Sequence, residues 1–143
     1  MRHHLAELLD LAPHPEGGWY RRTWTAGERV RTADGRDRAT ASAILFLLPA
    51  GDASTWHRVA SDEVWIAQAG TVTLELGGDG AVPGPGAAVT LATDVAAGGA
   101  PQIVVPAGTW QRTRPATADA LVTCVVSPAF DFADFELGTE PSG

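Results

Sequence analysis

From Trp19 onward the chain is a succession of short segments in which apolar and polar residues often alternate. Clusters of Gly, Pro, Asp and Ser separate them. A two-residue period with frequent turn signals is the pattern of an all-β sandwich or barrel. It predicts strands over about 19–25, 40–49, 55–59, 62–69, 71–77, 86–92, 101–105, 110–113 and 120–127. Ahead of them, Leu5, Leu8 and Leu9 recur at helical spacing within residues 3–11, so a short amphipathic helix is expected there. Pro13 and Pro15 stop it, and Gly17 and Gly18 form a turn. The charged stretch 27–38 (GERVRTADGRDR) reads as a loop, and 77–86 (GGDGAVPGPG) as a hairpin turn. The segment PAFDFADFEL opens on a strand or short turn, and residues 139–143 read as a flexible tail. With no repeat or linker in the pattern, one domain over 1–138 is expected.

Composition narrows the partners more than the fold. The net charge is −7, and all ten basic residues are Arg, scattered without a basic run. Such a chain does not suit polymeric nucleic acid or an anionic membrane surface. Nothing approaches the ~20 apolar residues of a spanning helix. The N-terminus, MRHHLAELLD, carries charge inside its apolar stretch, unlike a signal peptide. The expectation is a cytoplasmic protein whose partner is a small molecule. Cys124 is the single cysteine and sits in the apolar run LVTCVVS, so it reads as a small buried hydrophobe.

The chemistry concentrates in residues 51–70, GDASTWHRVASDEVWIAQAG. Strand parity puts His57 and Val59 on one face, and Glu63, Trp65 and Ala67 on one face of the next strand. If those faces line a barrel interior, an imidazole and a carboxylate persist there only when paired, ligated or in contact with a ligand. Further on, the PAG turn at Pro106–Gly108 delivers Trp110 and Gln111 into a strand that can point Gln111 into the same interior. His57 as base, with Glu63 as partner, suits general acid–base work. The plainer alternative is a closed barrel in which the two merely bond each other.

These residues resemble the cupin superfamily. Its first motif, G-x5-H-x-H-x3-E-x6-G, is matched by Gly51, His57, Glu63 and Gly70, with Val59 where the second His belongs. Its second, G-x5-P-x-G-x2-H-x3-N, is matched by Pro106 and Gly108, with Gln111 and Pro115 in place of His and Asn. The blocks PHPEGGWYRRT, SAILFLLPAG, WHRVASDEVW, VVPAGTWQ and SPAFDFADFEL are similar to a branch of single-domain cupins of unknown function, often labelled predicted sugar epimerases. The resemblance implies a double-stranded β-helix, or jelly-roll barrel, with a short N-terminal helix. It also implies a homodimer paired through edge strands. The implied function is an epimerase, isomerase or dehydratase acting on a sugar-like or nucleotide-linked small molecule. A non-catalytic binding cupin is the alternative, and a metal-dependent cupin enzyme a further one.

The departures matter. That branch has Glu where Arg22 stands, its WHFYAG becomes WIAQAG, and the aromatic of its AIYFLL strand is Leu45. Cupin metal sites commonly use three His and one Glu, and here only His57, Glu63 and the amide of Gln111 are left as weak candidate ligands for a divalent cation. The expectation is therefore no cofactor. Candidate substrate-binding residues are Gln111, Trp56, Trp65, Trp110, Tyr20, Ser42, His14 and Glu16. The tryptophans are candidates for stacking on a ring, and His14 and Glu16 for closing the barrel mouth from the PHPEGG loop. Tyr20 and Arg22 share strand parity, so one of them is expected to reach the pocket. Arg58 points to the other face and reads as a surface or interface ion pair.

Overall fold

The computed structural model describes residues 3–138; residues 139–143, where the tail was expected, lie outside them. The elements run α1 (His4–Leu8), β1 (Ala12–Pro13), β2 (Trp19–Thr25), β3 (Arg29–Arg31), β4 (Asp37–Ala39), β5 (Ser42–Leu48) and β6 (His57–Arg58). There follow β7 (Asp62–Ala69), β8 (Thr71–Leu76), β9 (Ala88–Ala92), β10 (Gln102–Val105), β11 (Gln111–Thr113), β12 (Ala120–Ser127) and β13 (Glu136–Leu137). Single 3-10 turns lie at Val95–Ala97 and Phe132–Asp134. None of the described helices is long and apolar enough to cross a membrane.

Two antiparallel sheets form the barrel. One has the order β1-β2-β5-β12-β7-β10, the other β13-β6-β11-β8-β9. The period-two reading of the sequence is realised most plainly in β12, where Ala120, Val122, Cys124 and Val126 are buried and the residues between them are half-buried. Ala120, Val122 and Cys124 meet Phe46, Leu48, Trp65, Leu74, Leu91 and Val105 in the main core. Gly70 makes the tight turn from β7 to β8 at φ +73, and a Cβ there would fall 2.5 Å from the Asp119 carbonyl oxygen.

Two expectations are corrected. The helix is shorter than residues 3–11, and Leu8 faces outward; Leu5 and Leu9 pack with buried Ala6, Leu11 and Leu47 in a satellite cluster. His3 caps the N-terminus of the helix by accepting the Leu5 N–H at its Nδ1. The stretch 27–38 is not a plain loop but carries the β3–β4 hairpin, with Arg29 opposite Ala39 and Arg31 opposite Asp37. β3 is exposed throughout, β4 buries Arg38 and Ala39 in succession, and an ion pair ties Arg29 to Asp37 at 2.8 Å, so no apolar alternation marks it.

Candidate functional site

The space between the sheets is a cavity of about 290 Å³ that opens to solvent at one end. Strand register explains its walls. Arg22 of β2 pairs with Ile44 of β5, and Ile44 pairs with Cys124 of β12. One step along, Ser42 pairs with Val126, and Val126 with Glu63 of β7. Because successive residues alternate faces, this places Arg22, Ile44 and Cys124 in one inward row, and Ser42, Val126 and Glu63 in the next. All six line the cavity, with Tyr20 beyond Arg22 on β2. From the other sheet comes His57, on β6, with Val59 just after it. Gln111 on β11 is the register partner of His57.

The β1–β2 loop closes one side. His14 donates its backbone N–H to the Gly18 carbonyl, and its Nδ1 accepts the Glu16 N–H at 3.1 Å. The Glu16 carbonyl in turn accepts the Thr55 N–H at 2.8 Å, which fastens the loop to the segment leading into β6. Gly17 sits at φ +106, and a Cβ there would be 2.3 Å from the Ala53 carbonyl oxygen. Only glycine lets the loop pass this close, and its path directs the Glu16 side chain inward, where it is buried.

Glu16 is the hydrogen-bonding partner of His57. Its Oε2 lies 2.6 Å from His57 Nε2, while His57 Nδ1 lies 2.8 Å from the Thr55 carbonyl oxygen. A carbonyl only accepts, so Nδ1 carries a hydrogen and one further proton lies between Nε2 and the carboxylate. Burial works against a charge on the ring. The Glu16 charge and hydrogen bond outweigh it, aided by the Glu63 charge and the Thr55 carbonyl, and lift the imidazole pKa to about 9. The bond expected between His57 and Glu63 is thus made by Glu16 instead.

Glu63 acts on His57 through its charge, and its own hydrogen bonding lies elsewhere. Gln111 Nε2 donates to Glu63 Oε1 at 2.7 Å, and Gln111 Oε1 accepts from Trp65 Nε1 at 2.9 Å. Burial drives the Glu63 pKa upward, against the pull of His57 and the Gln111 and Cys124 hydrogen bonds. Burial and the two carboxylates push the Cys124 thiol well above its ordinary range. Burial also lowers His14, with Glu16 opposing it.

The structure thus brings His14, Glu16, Tyr20, Ser42, His57 and Glu63 to one cavity. Gln111 stands behind Glu63 and outside the lining. The three tryptophans are also outside it. Trp65 is buried in the core on Gln111, Trp56 lies under the Arg112 guanidinium, and Trp110 bonds the Gly80 carbonyl beneath Arg58. Trp65 is on β7, and Trp56 and Trp110 immediately precede β6 and β11; all three are flat, large and buried. Arg58 makes its surface ion pair with Glu136 at 2.9 Å.

The aromatic wall comes instead from Phe130, Phe132 and Phe135, which the sequence reading did not single out. Phe130 and Phe132 meet edge to face at 4.8 Å, and Phe135 stacks on His57 at 5.6 Å. Their spacing around a 3-10 turn follows no strand or helix period. The block SPAFDFADFEL was the available signal.

The donors do not fit a divalent cation. Gln111 spends its carbonyl on Trp65 and its amide on Glu63, and both nitrogens of His57 are bonded. Among the described residues no group of three or more His, Cys, Asp or Glu is arranged to hold a metal ion.

Comparison with known proteins agrees with this architecture. The chain is 33% identical to protein SO0799 from Shewanella oneidensis, covering 97% of this chain and 86% of that one, with a TM-score of 0.83. A hypothetical protein from Leishmania major is 30% identical over 95% of this chain and 86% of its own, also at 0.83. KdgF from Halomonas sp. shares the fold at a TM-score of 0.60 and 17% identity, covering 87% of this chain and 92% of that one. No curated protein matches the chain. The family described as cupin superfamily (DUF985) matches residues 3–138. Sequence match, strand order and the paired sheets lead to one conclusion: the chain is an all-β cupin and belongs to the DUF985 family of the cupin superfamily.

Proposed function

We propose that the cavity is the active site of an enzyme of the epimerase, isomerase or dehydratase kind, working by general acid–base chemistry on a small sugar-like carbonyl compound. One observation carries the reading: a buried His57–Glu16 pair at 2.6 Å faces the same cavity as a second carboxyl group, Glu63, whose pKa is raised. Two proton-carrying groups in different electrostatic settings supply an acid and a base at one pH.

With its proton, His57 is an imidazolium against the Glu16 carboxylate. That carboxylate is the group suited to take a proton from carbon next to a carbonyl. Glu63, biased toward its neutral form, is suited to give one to the carbonyl oxygen. Return of a proton to the other face of the carbon, with the oxygen's proton going back to Glu63, completes an epimerisation. Departure of a neighbouring hydroxyl as water, with the proton Glu16 had taken, while the oxygen's proton returns to Glu63, completes a dehydration. His57 orients Glu16 and holds the shared proton. The cavity is at the low end of the ~300–1,000 Å³ usual for ligand pockets, which favours a single-ring or shorter compound inside it. A nucleotide-linked substrate would leave its nucleotide outside the mouth.

A second reading is ligand capture without chemistry. It is favoured by the full occupation of the His57 nitrogens, which leaves no ring atom free for a substrate. The test is a panel of aldoses, ketoses and sugar acids in deuterated water, followed by proton NMR. The enzyme reading expects loss of a C–H signal next to a carbonyl, slowed about 10²- to 10⁴-fold in Glu16→Gln and Glu63→Gln. A compound that binds wild type yet keeps every C–H proton supports capture.

A further inference from the structure

Most arginines of this chain answer a carboxylate. Arg29 faces Asp37, Arg36 and Arg38 face Asp134, Arg58 faces Glu136, and Arg112 and Arg114 face Glu75. Arg21, Arg22 and Arg31 have no carboxylate partner among the described residues; Arg21 and Arg31 bond the Leu9 and Gly35 carbonyls, and neither lines the cavity. The Arg22 side chain has one hydrogen bond, from Nη2 to the Phe130 carbonyl at 2.6 Å. A guanidinium has five N–H donors in a planar fork, so most of the Arg22 donors are left for another acceptor. Arg22 lines the cavity and is also exposed, which places it at the rim.

Charge inside the cavity points the same way. The His57–Glu16 pair is neutral as a unit wherever its shared proton sits, and burial biases Glu63 toward its neutral form. Arg22 is the one guanidinium among the described lining residues, within a chain whose net charge is −7. The wall beside it carries the apolar side chains of Ile44, Val126, Phe130 and Phe132, with the Tyr20 and Ser42 hydroxyls among them. A bidentate anion with an apolar or ring-shaped body matches both features.

We propose that Arg22 is a specificity-determining residue that selects small organic anions, carboxylates or phosphate monoesters, by clamping the anionic group at the cavity mouth. The inference rests on the reading of this cavity as the ligand site, and not on the acid–base step proposed for it.

Titration calorimetry with three probes of one shape separates the alternatives: benzoate, phenyl phosphate and neutral benzamide. Wild type is expected to bind at least one anion about tenfold or more tightly than benzamide. Arg22→Gln should weaken that anion about 10- to 100-fold and leave benzamide unchanged, whereas Arg22→Lys should keep much of the preference. The better of the two anions identifies carboxylate or phosphate as the natural group. The proposal is overturned if neither anion binds wild type, if benzamide binds as tightly, or if Arg22→Gln retains the preference. An equal loss of benzamide and anion in Arg22→Gln also overturns it, since Arg22 would then only hold Phe130. Anion preference without any C–H exchange keeps this inference and removes the acid–base reading; exchange without anion preference does the reverse.

Discussion

The Glu16 carboxylate, carried by the loop between β1 and β2, meets the His57 imidazole of β6 at 2.6 Å inside the barrel. The loop is held in place by its own backbone bonds and by the Thr55 N–H on the Glu16 carbonyl. The same Thr55 accepts from His57 Nδ1. One residue thus fixes both members of the pair, which ties the geometry of the cavity to the closure of the loop.

That tie predicts the effect of Gly17→Ala. The backbone at φ +106 is unfavourable for alanine, and the added Cβ meets the Ala53 carbonyl oxygen at 2.3 Å. A strained residue of this kind costs about 1–3 kcal/mol before the clash is relieved. Urea unfolding should show at least that loss, and the surviving folded protein should hold Glu16 away from His57. A variant with unchanged stability would show that the loop path is not constrained as described.

Stability should depend on pH in a definite direction. The His57 pKa is about 9 in the folded protein against 6.5 ordinarily. Its contribution is fully present below about pH 6.5 and is lost as pH rises through about 9, an effect on the order of 3 kcal/mol. Glu63, also raised, contributes with the same sign. Denaturant unfolding across this window should give a falling free energy for wild type and a flatter profile for Glu16→Gln. A flat wild-type profile would contradict the pairing.

Gln111→Leu keeps the volume but leaves the Trp65 indole N–H and the Glu63 carboxyl group without their partner. Leaving the buried indole N–H unsatisfied and removing one of the Glu63 hydrogen bonds costs about 2–5 kcal/mol. Glu63 also loses a hydrogen bond that lowers its pKa, so that pKa should climb further. Chemical denaturation measures the first effect, and carboxyl carbon NMR shifts follow the second.

Cys124 should be inert despite lining the cavity. It is buried, and its thiol is held well above the usual range by burial and by Glu63 and Glu16. Iodoacetamide at neutral pH should modify it only after unfolding, as read by mass spectrometry. Alkylation of the native protein at the rate of a free thiol would contradict this.

How much of this was legible in the sequence differs by element. The strand of Ala120–Ser127 follows from alternation, which acts locally. That His57 lies beside Gln111 of β11, and not in one sheet with Glu63 of β7, does not, because it is set by long-range pairing. The Glu16–His57 contact does not, because it depends on where a loop of fixed backbone lands, and Glu16 could be placed only at the barrel mouth. The tryptophans misled for a physical reason: Trp56, Trp65 and Trp110 flank the polar positions in sequence, but strand parity and size bury them. Phe130, Phe132 and Phe135 take the wall from a segment with no period to read. The β3–β4 hairpin was hidden because β3 is exposed throughout and the buried residues of β4 include a charged one, Arg38.

The central claim is that His57 and Glu16 form a buried, proton-sharing pair, and NMR titration of the His57 ring nitrogens tests it most directly. Wild type should titrate near about 9, and Glu16→Gln should fall well below that value once the charge and the hydrogen bond are gone. A ring that titrates near its ordinary 6.5 in both proteins would contradict the pair and the acid–base chemistry built on it.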